Sequence, residues 1–221
     1  MWVWYAWADA DADADADVDA ATDASASESS REQDFVALQK GTLSGLRIGI
    51  TGGALDVWRE LPANELLVGF RSAALPSSAG TWHHVAYVLD RSDAGFVNAL
   101  YVDGQEAGKT TAGPNNLTPL VFLLGVSESG GVPQYTNYFA GYLDEIRVWT
   151  VGRTAQEIQA EMNGEVLSVE PGLVAYFNCN EILDGGLLLD MSGNGNNALL
   201  GGGNPASVPT LIPSDRPQPS Q

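Results

Sequence analysis

The residues with the most chemical promise lie near the C-terminal end, in the run Asp190-Met191-Ser192-Gly193-Asn194-Gly195-Asn196. Asp190, Asn194 and Asn196 carry side-chain oxygens, and the intervening glycines let backbone carbonyls turn inward. A hard cation such as calcium takes such a mixture of charged and neutral oxygens. The same residues also suit an ordinary turn, in which Asp and Asn hydrogen-bond their own backbone and Gly supplies positive φ. Asp144, followed by Glu145, is the other acidic candidate. For Asp144 a metal role stands against pairing with Arg147 or with an amide at a strand end. Tyr135, Asn137 and Tyr138 offer a different chemistry. An exposed ring covers the apolar C–H face of a sugar while a neighbouring amide pairs with its hydroxyls. The plainer alternative has Tyr138 and Phe139 anchoring their loop to the core, and Phe139 is expected to do so.

Nothing in the spacing supports catalysis. Glycoside hydrolysis needs two carboxylates flanking the scissile bond. Asp144 and Glu145 are adjacent, and in a continuous strand adjacent side chains point to opposite faces. His83 and His84 are opposed in the same way. No HExxH, no phosphate loop and no Ser/His/Asp set can be read from the chain. The expectation is a protein that binds and is not an enzyme.

These residues must be positioned by strands. From Phe139 to Trp149 apolar and polar residues roughly alternate, which predicts a strand with one buried face. Gly152 breaks it. Thr154 stands three residues before Glu157, the spacing of a capping box. A short helix near 154–162 follows, with Ile158 and Met162 on one face. Further strands are expected at 35–41, 46–50, 55–58, 66–70, 83–89, 96–102 and 173–177, with 120–124 apolar and buried. Asp103-Gly104 is a strong hairpin turn signal. Residues 127–138 read as a long Gly- and Ser-containing loop. Met1 to Trp7 reads equally as a strand or as the start of a fragment. Ala8 to Ser30 is low in complexity, with Asp alternating from Asp9 to Asp19, and reads as a solvated acidic loop or linker. A solitary short helix among strands and Gly-rich turns predicts an all-β fold.

Three segments carry a resemblance. Asn137 to Met162 resembles the closing strand and helix of laminin G-like jelly rolls in the concanavalin A-like superfamily, which includes the pentraxins. Gly80-Thr81-Trp82-His83-His84-Val85-Ala86 is similar to that family's "G-T-W-x-H-V-A" strand, and Leu100-Tyr101-Val102-Asp103-Gly104 to its "L-Y-V-D/N-G" hairpin. The Asp190 to Leu199 run resembles its "D-x-S-G-N-G-N" turn. The resemblance implies an antiparallel two-sheet jelly-roll sandwich over residues 35–212, with a disordered tail at 213–221. It implies calcium in some members. The pentraxin ligand loop corresponds to GVSESGGVPQYTNY, where only Glu128 and Gln134 keep oxygen-rich side chains, so a double calcium site of that type is not expected.

Composition narrows the partners. The net charge is -18, about half of it before Phe35, and no Lys/Arg run occurs. Nucleic acid and anionic membranes are therefore excluded, because such binding needs clustered cations. The single cysteine, Cys179, permits no intrachain disulfide and is expected to be a small core residue. No apolar run approaches the roughly 18 residues of a membrane span, so no membrane insertion is expected. Met1 to Trp7 is too short for a signal core and lacks a preceding positive charge. The expected function is carbohydrate recognition, calcium-assisted, outside the cell or on its surface, within a larger multidomain protein. The second reading is a structural or protein-adhesion module, with a cell-surface or extracellular protein as partner. A glycoside hydrolase is the third.

Overall fold

The computed structural model describes residues 2–5, 33–39, 45–51, 54–60, 70–74, 81–90, 97–111, 121–129, 134–164, 166, 170–204 and 208–215. In chain order the strands are β1 (Trp2–Tyr5), β2 (Gln33–Gln39), β3 (Gly45–Thr51), β4 (Ala54–Glu60), β5 (Phe70–Ala74), β6 (Thr81–Asp90), β7 (Val97–Val102), β8 (Gln105–Thr110), β9 (Val121–Leu124), β10 (Ser127–Ser129), β11 (Gln134–Thr136), β12 (Gly141–Asp144) and β13 (Ile146–Trp149). Helix α1 (Ala155–Glu161) follows, then β14 (Leu173–Phe177), β15 (Ile182–Leu183), β16 (Leu187–Leu188) and β17 (Ala198–Leu199). The chain divides into two compact units, one of Met1–Trp4, Trp82–Thr111 and Tyr142–Gln221, the other of Tyr5–Thr81 and Ala112–Gly141.

The second of these units is built on a five-stranded sheet in the order β5-β4-β3-β2-β9. Alternation on β3 decides its faces. Ile48 and Ile50 stand opposite Val57 and Leu55 of β4, and all four are buried. The other face carries both apolar and acidic residues, Ala37 among the former. There Gly49 lies between Asp34 of β2 and Asp56 of β4, both of them buried. A bulge at Phe35 lets β2 bury Asp34 and Phe35 in succession. A side chain at position 49 would meet the Gln33 carbonyl oxygen at 2.1 Å, so only glycine fits beside the bulge.

The other unit has a sheet in the order β12-β1-β6-β7-β8. Residues 2–5 therefore form a strand, flanked by β12 and β6. The β7–β8 turn is the expected two-residue one, with φ of 50° at Asp103 and 75° at Gly104, both positive as a type I′ turn requires. Helix α1 plugs this sheet. Its Ile158 packs on Ala99 and Tyr101, with Ala86, Val88 and Ala155 around them. Thr154 caps it as expected: the Thr154 hydroxyl accepts from the Glu157 N–H at 3.3 Å, and the Glu157 carboxylate accepts from the Thr154 N–H at 2.7 Å. Gln159 donates to the Gly104 carbonyl at 2.9 Å, so the helix also grips the hairpin turn.

Several expectations are corrected. The strand foreseen from Phe139 to Trp149 is broken at Glu145, which takes a φ of 53° and separates β12 from β13. The stretch 127–138 is not one loop, since β10 and β11 pair within it. Residues 121–124 are not buried: Val121 is exposed and its strand neighbours are half-buried. β5 runs on to Ala74, beyond the strand foreseen at 66–70, and 66–69 lie outside the described residues. The acidic stretch 8–30 also lies outside them, as does 216–221 of the tail. Cys179 lies two residues past the end of β14, half-buried and in the left-handed region at φ 53°. Burial, with Asp144 and then Glu145 adding, pushes its thiol up to about 12, which leaves it unreactive at neutral pH.

Candidate functional site

The segment from Thr136 to Ala140 runs along β2 and is fixed at every second residue. Asn137 has a φ of 54°, and its carbonyl accepts from the Asp34 N–H at 2.9 Å. Its side-chain amide donates to Asp34 Oδ2 at 3.0 Å, beside the Arg47 guanidinium at 3.4 Å. Phe139 stacks edge-on against Phe35 with centroids 4.8 Å apart, and its N–H donates to the Gly125 carbonyl at 2.9 Å. Phe139 is thus the anchor, as expected. Tyr138 lies between these two fixed residues and is 67 % exposed. Tyr135, on β11 opposite Glu128, is 39 % exposed. The structure therefore brings Tyr135, Asn137 and Tyr138 into one short stretch, with Asn137 spent on holding it and the tyrosines turned outward. The backbone between the two exposed rings is held by hydrogen bonds from its neighbours.

The Asp190 run folds as a staple on β14. Asp190 Oδ1 accepts from the N–H groups of Tyr176 and Ser192, each at 2.9 Å, and Oδ2 accepts from the Asn196 N–H at 2.9 Å. Asn194 donates to the Leu173 carbonyl at 2.8 Å and Asn196 to the Val174 carbonyl at 2.9 Å. The Ser192 hydroxyl also donates to Val174, and the Met191 N–H to the Tyr176 carbonyl. Burial raises the Asp190 carboxyl, but the hydrogen bonds from Ser192, Tyr176 and Asn196 outweigh it and hold the group below its ordinary value. A calcium cage needs about six to eight converging oxygens. Here both Asp190 oxygens face backbone donors, and both asparagines turn their NH2 ends to carbonyls. Among the described residues no three His, Cys, Asp or Glu side chains form a metal-holding group. As folded, this donor set does not fit calcium.

Asp144 stands apart from that turn. Its Oδ1 accepts from the Glu145 N–H at 2.9 Å, the strand-end amide foreseen as its alternative. Arg147 pairs with Glu145 at 2.7 Å, not with Asp144. Because φ at Glu145 is positive, strand parity does not hold there, and Asp144 and Glu145 are both buried. The Tyr176 hydroxyl lies 2.9 Å from Glu145 Oε2, and Arg147 also donates to the carbonyls of Glu161 and Gly164. The sequence reading missed this cluster, since nothing in the spacing marks Tyr176 as its third member. His83 and His84 are both buried as well. Asp103 joins them, its Oδ2 2.8 Å from His83 Nδ1 and its Oδ1 accepting from the His84 N–H at 2.9 Å.

The sequence profile of the Laminin_G_3 family, described as the Concanavalin A-like lectin/glucanases superfamily, matches residues 4–159. Among solved structures, a "putative carbohydrate binding protein" from Bacteroides ovatus is similar at a TM-score of 0.54 and 20 % identity, over 89 % of this chain and 55 % of its own. The chain thus spans about half the length of that relative. An S-layer domain-containing protein from Clostridium thermocellum aligns at a TM-score of 0.33 and 20 % identity, over 63 % of this chain and 66 % of its own. No curated protein matches.

Proposed function

We propose, from the premise that the chain belongs to the Laminin_G_3 family of concanavalin A-like lectin/glucanase domains, that it is a non-catalytic module recognising carbohydrate outside the cell or on its surface. The fold is all-β, of the concanavalin A-like jelly-roll class, with one short α-helix among the described residues. Among the described residues no helix is long and apolar enough to cross a membrane. The observation that carries the binding reading is Tyr138, 67 % exposed between two locked neighbours. A tyrosine presents an apolar ring with a polar tip, and one carried between two hydrogen-bonded neighbours gives up little freedom on contact with a ligand. The carbohydrate binding ascribed to the Bacteroides ovatus relative supports the same reading. That relative's greater length suits a module set within a larger protein.

A glycan and polysaccharide array run in calcium buffer and again in EDTA tests this. The expected outcome is binding that survives EDTA and falls about tenfold in Tyr138→Ala, a loss equivalent to about 1.4 kcal/mol. Binding abolished by EDTA would mean that the Asp190 turn rearranges to take calcium. A blank array would move the reading to protein adhesion.

A further inference from the structure

A second pair of aromatic rings lies in the other compact unit and on a different sheet from Tyr135. Trp82 is the second residue of β6 and Tyr142 lies on β12, with β1 between those strands. Their ring centroids are 6.5 Å apart and tilted by 39°. Trp82 is half-buried, whereas Tyr142 is 40 % exposed. The indole N–H of Trp82 donates to Asp215 Oδ1 at 2.6 Å. Asp215 arrives on a segment without secondary structure, and residues 209–215 are all exposed. Among the described residues its second oxygen has no protein partner.

A buried tryptophan finds a partner for its N–H within the fold. Here the partner is a solvent-facing carboxylate beside a tilted two-ring surface. Each element has a use in sugar binding. The rings offer two apolar planes set at an angle, which suits successive pyranose faces of a twisted chain. A carboxylate is acceptor-only, and its free oxygen can take hydroxyl protons. The indole N–H fixes that carboxylate in place through a charge-assisted bond. The net charge of -18 repels acidic ligands and leaves a neutral, hydroxyl-rich one.

We propose that Trp82, Tyr142 and Asp215 form a second carbohydrate subsite, selective for neutral glycans and separate from the Tyr135–Tyr138 loop. The proposal rests on the carbohydrate reading above. It gives this chain a second place at which a neutral glycan is bound.

The test titrates the full chain with four neutral hexasaccharides, of cello-, manno-, xylo- and chito-type, by calorimetry. Tyr142→Ala and Asp215→Ala lie at exposed positions and are compared with Tyr142→Phe, which keeps the ring. Melting temperature controls for folding. The expected result is a loss of about tenfold in each alanine variant at unchanged melting temperature, with Tyr142→Phe like wild type. Tyr138→Ala should leave this binding event unchanged. If binding falls only in Tyr138→Ala, the second subsite is wrong and the carbohydrate reading stands. If the wild type binds none of the four, the second subsite is overturned, and the array alone decides the carbohydrate reading. Tighter binding in Asp215→Ala would also overturn the proposal, because Asp215 would then be covering the rings and not serving the ligand.

Discussion

Asp190 was readable as a residue that either organises a turn or holds a cation, and the turn is what its hydrogen bonds build. What the sequence withheld was direction. An asparagine amide offers an acceptor at one end and a donor at the other. Only the carbonyls of Leu173 and Val174, brought alongside by the fold, decide that Asn194 and Asn196 present their donors. The same limit applied to Tyr138, whose outward or inward setting stayed open, whereas Phe139 was expected to anchor the loop and does so against Phe35. For Asp190→Asn the expected outcome follows from its three backbone donors. The amide keeps one acceptor oxygen and sets a donor against another, costing about 1–2 kcal/mol of stability. A shifted urea midpoint with an unchanged slope would show it.

Among the elements, α1 was the most legible, because Thr154 and Glu157 state a capping box in their identities. The β7–β8 turn was legible for the same reason, in Asp103-Gly104. The break at Glu145 was not, since glutamate carries no local preference for a positive φ. That conformation is held from outside, by Arg147 and Tyr176 gripping the carboxylate. The β10–β11 hairpin was hidden by its Ser- and Gly-rich composition, which shows no alternation. Arg147 ties β13 to the end of α1 through the Glu161 and Gly164 carbonyls, and Glu145 beside it is nearly fully buried. Arg147→Ala would leave that carboxylate uncompensated, and a loss of about 3–5 kcal/mol is expected. Hydrogen exchange should show α1 amides losing protection before those of β3.

At the scale of the whole molecule, stability should depend on acid through His84. Burial, aided by nearby positive charge including Arg147, pushes that imidazole from 6.5 down to about 2. The unfolded chain takes up a proton below 6.5 and the folded chain does not. Stability is therefore fully present above 6.5 and is lost as pH falls from there toward about 2. Between about pH 6.5 and 5 the carboxylates stay charged, so relief of the net negative charge does not yet offset the loss. A fall of roughly 1 kcal/mol per pH unit is expected there. His84→Gln should flatten it in denaturant titrations at each pH. Asp190 adds to the loss only further down, as pH falls through its lowered value. The staple on β14 has its own consequence at this scale. β13 pairs with one side of that strand, and Asp190, Ser192, Asn194 and Asn196 satisfy groups of its backbone with side chains. A foreign strand cannot add where those groups are already taken. In a polypeptide carrying similar modules in tandem, such a rim would keep each copy from exchanging strands with its neighbour, and so guard against misassembly while the chain emerges from the ribosome.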